Sequence, residues 1–358
     1  MKTLNHYLQR EMLLMTALLF VGIVLFFAFF DLINELGDLG RGKNLSSMFL
    51  SVALKLPSRC YELAPVSALL GTMYVLSQMV ANSEFTVMRV SGVSLWQIGR
   101  AIIMVGVPIA LLTFLAGEFV APPAERLAAN VKSAERSGDL IAQQFSSGFW
   151  FKENEVFANI RAATSSHILM DVRLYTFDKH RKLVSIKSAK RGVFSIENNT
   201  WQLEDVKVTQ FDGSETRLTE EPVYEWHTVL RPSILTVYQT PPEQLEIKTL
   251  FDNIDILSRS AQDTSRFRIA LWSKIVYPLN IFVMMLLALP FSQFQRRQSG
   301  VGFRIFAGAL IGLTFFLIGR LFSYIGTLNH WYPLFAAFTP TVLFLVLLIL
   351  MLRRQERR

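Results

Sequence analysis

The sequence predicts an α-helical membrane protein with six transmembrane helices in two sets of three and an antiparallel β-sandwich inserted between the sets. Three observations predict it. Of 358 residues, 51% are hydrophobic and only 18% charged, against roughly 45–50% apolar content in an ordinary soluble domain. Uncharged apolar stretches crowd residues 12–120 and 275–352, and the residues between them alternate as half-buried strands do.

A helix that crosses the roughly 30 Å hydrocarbon core needs about 20 apolar residues. Met12–Phe30, Leu63–Ser83, Ala101–Gly117, Ile275–Gln295 and Trp331–Leu352 approach or meet that length without a charge. A sixth span, from about Ile305 to Leu328, is interrupted only by Arg320. The N-terminal apolar run has no small-residue cleavage site after it, so it reads as a retained first span.

Lys and Arg collect on the cytoplasmic side of such proteins. Lys2, Arg10, Arg89, Arg100, Arg296, Arg297, Arg304, Arg353, Arg354, Arg357 and Arg358 fall in one set of connections, and only Arg41 and Lys43 in the other. Both termini are therefore expected in the cytoplasm and the central stretch outside. The net charge of +8 belongs to this bias: no basic patch interleaved with aromatics points to nucleic acid. Cys60 is the only cysteine, which excludes an internal disulfide.

Three segments follow from these boundaries: residues 1–120 with spans one to three, residues 121–268 as the outer domain with its linkers, and residues 269–358 with spans four to six. In the middle segment, residues 149–160, 167–178, 182–196, 200–212 and 222–230 read as strands, separated by Asn, Gly, Asp and Pro. Residues 122–138 and 243–268 read as helical or linking.

Several motifs, in this order, carry a resemblance: LAPVSALLGTMYVLSQM at 63–79, NSEFTVMRVSGVS at 82–94, GEFVAPPAE at 117–125, GFWFKENEVFANI at 148–160 and LWSKIVYPLN at 271–280. Together with the 3+3 layout they resemble the LptF/LptG permeases of the lipopolysaccharide exporter, and the last motif favours the LptG side. The resemblance implies a β-jellyroll domain and a Gram-negative inner-membrane location. It implies lipopolysaccharide as substrate, an LptF-like sister permease, a dimeric LptB-like cytoplasmic ATPase that uses ATP and Mg, and LptC-like and LptA-like periplasmic β-jellyroll proteins. The chain itself is expected to bind no cofactor. One position departs from the pattern: Asp31 stands about where family members carry a lysine near the outer end of the first span.

The chain carries one decoy. GDLGRGKN at 37–44 nearly matches the nucleotide-binding loop G-x-x-x-x-G-K-[ST], but Asn44 replaces the magnesium-ligating hydroxyl, no strand precedes it, and it lies outside, away from ATP. The five histidines (His6, His167, His180, His227 and His330) form no metal-ligand spacing. Cys60 reads as a small buried hydrophobe rather than a nucleophile. No intrinsic catalysis is expected.

Residues 82–100 are the sizeable cytoplasmic connection and read as a short helix, near 82–92, broken at Gly92. The resemblance assigns it to docking on the ATPase, with Glu84 and Arg89 facing the motor; the plainer alternative is a solvated loop. Further along, Lys55, Arg59 and Glu62 share one helical face in the outer part of the second span. Arg320 enters the same zone and Lys274 begins the fourth span. Ionisable groups at such depth face a partner, a cavity or water. With Arg41 and Lys43, these cations suit the phosphates of a lipopolysaccharide headgroup; the alternative is an intrahelical ion network with side chains snorkelling to the interface.

For acyl chains, Phe26 and Phe30 (with Phe27 and Phe29) in the first span and Phe306 and Phe316 (with Phe315 and Phe322) in the fifth are candidate cavity walls, although phenylalanines in spans also face lipid. The family carries the expectation that these two helices form a gate. The β-domain is expected either to accept acyl chains in an open interior, through aromatics such as Trp150, Phe157, Tyr175 and Phe194, or to be a closed core that positions partners. Two rivals remain. A lipoprotein-release or mechanotransmission permease would place its large domain after the first span; a scaffold or sensor would bring down neither an ATPase nor a second six-span protein.

Overall fold

The computed structural model describes residues 2–37, 44–135, 143–153, 155–164, 168–178, 180, 182–212, 215–228, 230, 232, 241–259, 263–294 and 301–356. It divides into a helical unit, Met1–Val131 with Ser265–Arg358, and a second unit, Lys132–Thr264.

In the helical unit the chain runs through α1 (Lys2–Leu36), α2 (Leu45–Ala81), α3 (Glu84–Val90), α4 (Leu95–Leu115), a π-helical turn (Ala116–Val120) and α5 (Ala121–Glu135). After the second unit it returns as α7 (Ser265–Phe294), α8 (Val301–Leu328) and α9 (Pro333–Glu356). Among the described residues, six helices are long and apolar enough to cross a membrane: α1, α2, α4 continuing into α5, α7, α8 and α9. The observed helices extend well past the apolar runs. In particular α2 begins at Leu45, so Lys55, Arg59 and Glu62 lie on continuous helix.

The spans are not equivalent. In α2, 72% of the apolar window is buried, against 11% in α1 and 17% in α8. α2 and α7 thus form the centre, where Leu69, Met73, Leu76, Ile281, Met284 and Leu287 are buried together with Ile98 and Ile102 of α4. Small residues permit the close crossings that lipid cannot drive. A Cβ at Gly71 would strike Thr16 of α1, and one at Gly117 the ring of Tyr61. At the start of α4, Ser94 Oγ accepts from the Gln97 amide at 3.2 Å and Gln97 Oε1 from the Ser94 amide at 3.0 Å. This reciprocal cap fixes the helix start.

The second unit contains β1 (Gln143–Glu153), β2 (Val156–Thr164), β3 (Ile168–Phe177), β4 (Leu183–Ser195), β5 (Thr200–Asp212) and β6 (Glu215–Trp226), then α6 (Ile247–Arg259). The described strands form one antiparallel sheet in sequence order. The antiparallel β-domain is therefore a meander, and the stretch 149–160 is the end of β1, a turn, and β2 rather than one strand.

Alternation along the strands separates two faces. Phe151, Ala158, Ile160, Val172 and Leu174 are buried on one, and β5 adds Trp201, Leu203, Val206 and Val208 to the core. Trp201 Nε1 donates to the carbonyl of Leu230 at 2.6 Å, which satisfies the indole in an apolar setting. Phe194 packs against this core, its ring 5.1 Å from Trp201. Trp150, Phe157 and Tyr175 alternate onto the opposite face, where Trp150 stacks on Tyr175 at 5.7 Å. Of the four aromatics considered for an interior, only Phe194 adjoins it.

Candidate functional site

The end of the helical unit where α2 begins and α1 and α8 finish carries a charge network built from a simple register. α1 offers Asp31 and Glu35 one turn apart, and α2, running antiparallel, offers Lys55 and Arg59 one turn apart. Glu35 Oε1 receives Lys55 Nζ at 2.7 Å. Asp31 receives Arg59 through two parallel bonds, Nε to Oδ2 and Nη2 to Oδ1, both 2.8 Å. Such a fork is the strong, directional form of the pair. Arg59 Nη1 also donates to Glu62 at 2.9 Å, and Glu62 accepts Arg320 Nη2 from α8 at 3.2 Å.

Among the described residues this network balances three cations against three carboxylates. The carboxylates are the withdrawn partners: side-chain exposure is 12% at Asp31 and 7% at Glu35, but 72% at Arg320. Burying unpaired charge at this depth is costly, which explains why the cations are met by acids. The Arg59–Glu62 bond is intrahelical, whereas Lys55 and Asp31 tie α2 to α1. Asp31 and Glu35 escaped the sequence reading as partners. The signal was available: two acids spaced by four, preceding two bases spaced by four across a helical hairpin.

The other candidate cations lie elsewhere. Lys274 of α7 is buried and pairs with Glu118 of the π-helical turn at 3.1 Å. Beside it Tyr61 and Tyr277 stack at 3.9 Å, and the Tyr277 hydroxyl donates to the Tyr61 carbonyl. Lys274 is thus a structural cation inside the helical unit rather than a member of an outward cluster. Arg41 and Lys43 lie outside the described residues.

Of the aromatic candidates, Phe26 and Phe30 are exposed on α1 and meet edge to face at 4.9 Å. Phe316 of α8 lies under the Arg320 guanidinium at 5.1 Å. Both helices pack on α2, so α2 is a common ruler: Asp31 is level with Arg59, and Arg320 with Glu62. On that ruler Phe30 shares the level of the charge network, and Phe26 and Phe316 lie five and four residues before Asp31 and Arg320, about 6–8 Å toward the opposite end. Phe306, also exposed, lies ten residues earlier on α8, about 15 Å further toward the opposite end.

At that opposite end of α2 sits the candidate coupling segment. After Asn82, Ser83 takes a left-handed backbone (φ 63°) that breaks the chain direction, and α3 begins at Glu84. Glu84 in the first turn and Arg89 in the last match the helix dipole. Asn82 Nδ2 reaches Glu84 at 3.4 Å, and Arg89 Nη1 donates to the Val93 carbonyl at 3.2 Å. Gly92, at φ +87°, turns the chain into α4. Phe85 and Met88 are buried beneath α3, while Val87, Val90 and Trp96 are exposed. The segment is an anchored helix with an apolar, charged outer surface, not a loose loop.

The chain as a whole has relatives among known proteins. LptG, the lipopolysaccharide export system permease protein of Haemophilus influenzae, is 28% identical over 358 residues, covering 99% of both chains. Escherichia coli K12 LptG is also 28% identical, over 99% of this chain and 98% of its own. The E. coli K12 permease LptF is 23% identical over 97% of this chain and 93% of its own. The family model described as lipopolysaccharide export system permease LptF/LptG matches residues 6–354, a span that takes in all six membrane-length helices, the inserted sheet and both candidate sites. The chain belongs to the LptF/LptG family of lipopolysaccharide export system permeases.

Proposed function

We propose that this chain is the LptG-type permease subunit of a lipopolysaccharide exporter in the inner membrane, with both termini cytoplasmic and the β-domain periplasmic. It pairs with an LptF-like permease, is driven by ATP hydrolysis on a dimeric LptB-like ATPase, and delivers lipid to LptC-like and LptA-like β-jellyroll proteins. The higher identity to LptG than to LptF supports the choice of subunit. The observation that carries the reading is the charge network beside the exposed Phe26 and Phe30 of α1 and the half-buried Phe316 of α8, on the two least buried spans.

An amphiphile with phosphates above acyl chains fits that arrangement. Phosphate competes with Asp31 and Glu62 for Arg59 and Arg320, because the guanidinium fork accepts either oxyanion. Exchange of Asp31 for phosphate releases one of the two ion pairs that tie α1 to α2, so headgroup binding and movement of α1 are linked. Closure of the cavity lets the carboxylates take the cations back and weakens the hold on lipid. That difference in affinity between states is what a pump requires.

Photocrosslinking to lipopolysaccharide tests the site. Arg59→Ala and Arg320→Ala should each lower crosslinking severalfold at normal protein level, and unchanged crosslinking rejects the phosphate role. At the other end, Glu84→Arg should abolish lipopolysaccharide-stimulated ATPase activity in the assembled complex; full stimulation rejects docking through α3.

A further inference from the structure

α8 lies along α2 in one continuous antiparallel register. At the outer end Arg320 meets Glu62. A Cβ added at Gly312 would come within 2.7 Å of Val66, and one at Gly308 within 2.7 Å of Met73 and 2.9 Å of Leu70. At the other end Arg304 Nη1 donates to the backbone carbonyl of Ser77 at 3.2 Å. The seam is therefore closely packed and uncharged in the middle, with Val66, Leu70 and Met73 seated against the glycines of α8, and pinned by an arginine of α8 at each end.

Arg304 is the unexpected member. By sequence it is one more exposed cytoplasmic cation, yet it is only 5% exposed. Its Nε has no hydrogen-bond partner among the described residues, and neither has the buried Ser77 Oγ. A buried guanidinium carries a large desolvation cost. The compensation visible here is the carbonyl end of α2, which carries the negative pole of the helix dipole. Helix packing alone needs no charge there, as Gly308 and Gly312 demonstrate on the same seam. What lies at that pole is specific: α2 ends at Ala81, one turn beyond Ser77, and α3 begins at Glu84.

We infer that Arg304 is the positioning residue that joins α8 to the end of α2 leading into the coupling segment, so that α2 and α8 move as one lever. A displacement of α3 is then delivered to Phe316, twelve residues or about 18 Å away along α8, and to Arg320, sixteen residues or about 24 Å away. The inference rests on the proposed function, and adds to it the route by which the inner event reaches the outer site. Coupling through such an element requires that the lever as a whole hold two discrete arrangements, and a polar pin at each end of the seam keeps its two helices in register between them.

The test uses the assembled transporter reconstituted in vesicles, with ATP hydrolysis and lipopolysaccharide transfer measured together. In Arg304→Gln, hydrolysis should stay within about twofold of wild type while lipid transferred per ATP falls about tenfold. Arg304→Lys, which keeps a cation within reach of the Ser77 carbonyl, should recover at least half of the loss. Unchanged transfer per ATP in Arg304→Gln overturns the inference. So does a fall in the amount of assembled complex with normal transfer per ATP in what remains, since that marks a merely structural role. A wild-type complex that transfers no lipid overturns the proposed function itself, which separates the two failures.

Discussion

Asp31 holds Arg59 by two bonds to one guanidinium, with Asp31 the more buried partner. Replacing Asp31 leaves Arg59 with Glu62 alone, and replacing Arg59 takes the two-bond partner from the more buried Asp31, whereas removing both leaves neither mismatch. Asp31→Ala should therefore lower stability in detergent by about 1–3 kcal/mol, and the Asp31→Ala, Arg59→Ala double variant should cost less than the sum of the singles. Thermal unfolding of the four proteins of the cycle measures this. Gly92 presents a different residue-scale constraint. At φ +87° a side chain is strained even though no atom lies within 4 Å of the Cβ position, so Gly92→Ala should cost about 1 kcal/mol and weaken lipid-stimulated ATPase activity. Gly92→Asn, which tolerates the left-handed region, should be milder; equal effects would show that space rather than backbone is limiting.

At the scale of elements, the α2–α8 seam ranks its own glycines. A Cβ at Gly312 meets the β-branched Val66, which has little rotamer freedom on a helix. A Cβ at Gly308 meets Met73, a flexible chain able to yield. Gly312→Ala is expected to destabilise by about 1–3 kcal/mol as overpacking, Gly308→Ala by less, and Gly319→Ala, which meets nothing within 4 Å, by little. The order is checked by melting temperature and by the yield of folded protein. The π-helical turn forms a second such junction. Lys274→Met removes the cation paired with the largely withdrawn Glu118 and should cost about 3–5 kcal/mol, whereas Lys274→Met with Glu118→Leu should recover most of it. The candidate cations divide on the same ground: Arg320 is exposed on the surface of α8, and Lys274 is committed to holding α7 to the turn after α4.

For the whole molecule the central expectation concerns company and orientation. Purification under mild detergent should bring down a second six-span permease and a cytoplasmic ATPase. A reporter at the C-terminus should be active in the cytoplasm, and one inserted between β5 and β6 in the periplasm; the reverse pattern overturns the proposed topology. By itself the sequence determined the six spans, the inserted antiparallel domain and the family, because a bilayer sorts apolar runs by length and sheets sort side chains by alternation, both local properties of the chain. The resemblance likewise lay in contiguous motifs. Tertiary structure alone decided that α2 and α7 form the centre, that Arg59 belongs to Asp31 and Lys274 to Glu118, that Arg304 is buried against Ser77, and that the strands make one meander. Those outcomes depend on pairings between residues 28, 156 and 227 positions apart. In a medium that cannot solvate charge, it is the partner brought alongside by helix packing, and not the residue's own type, that sets whether a cation is held or offered.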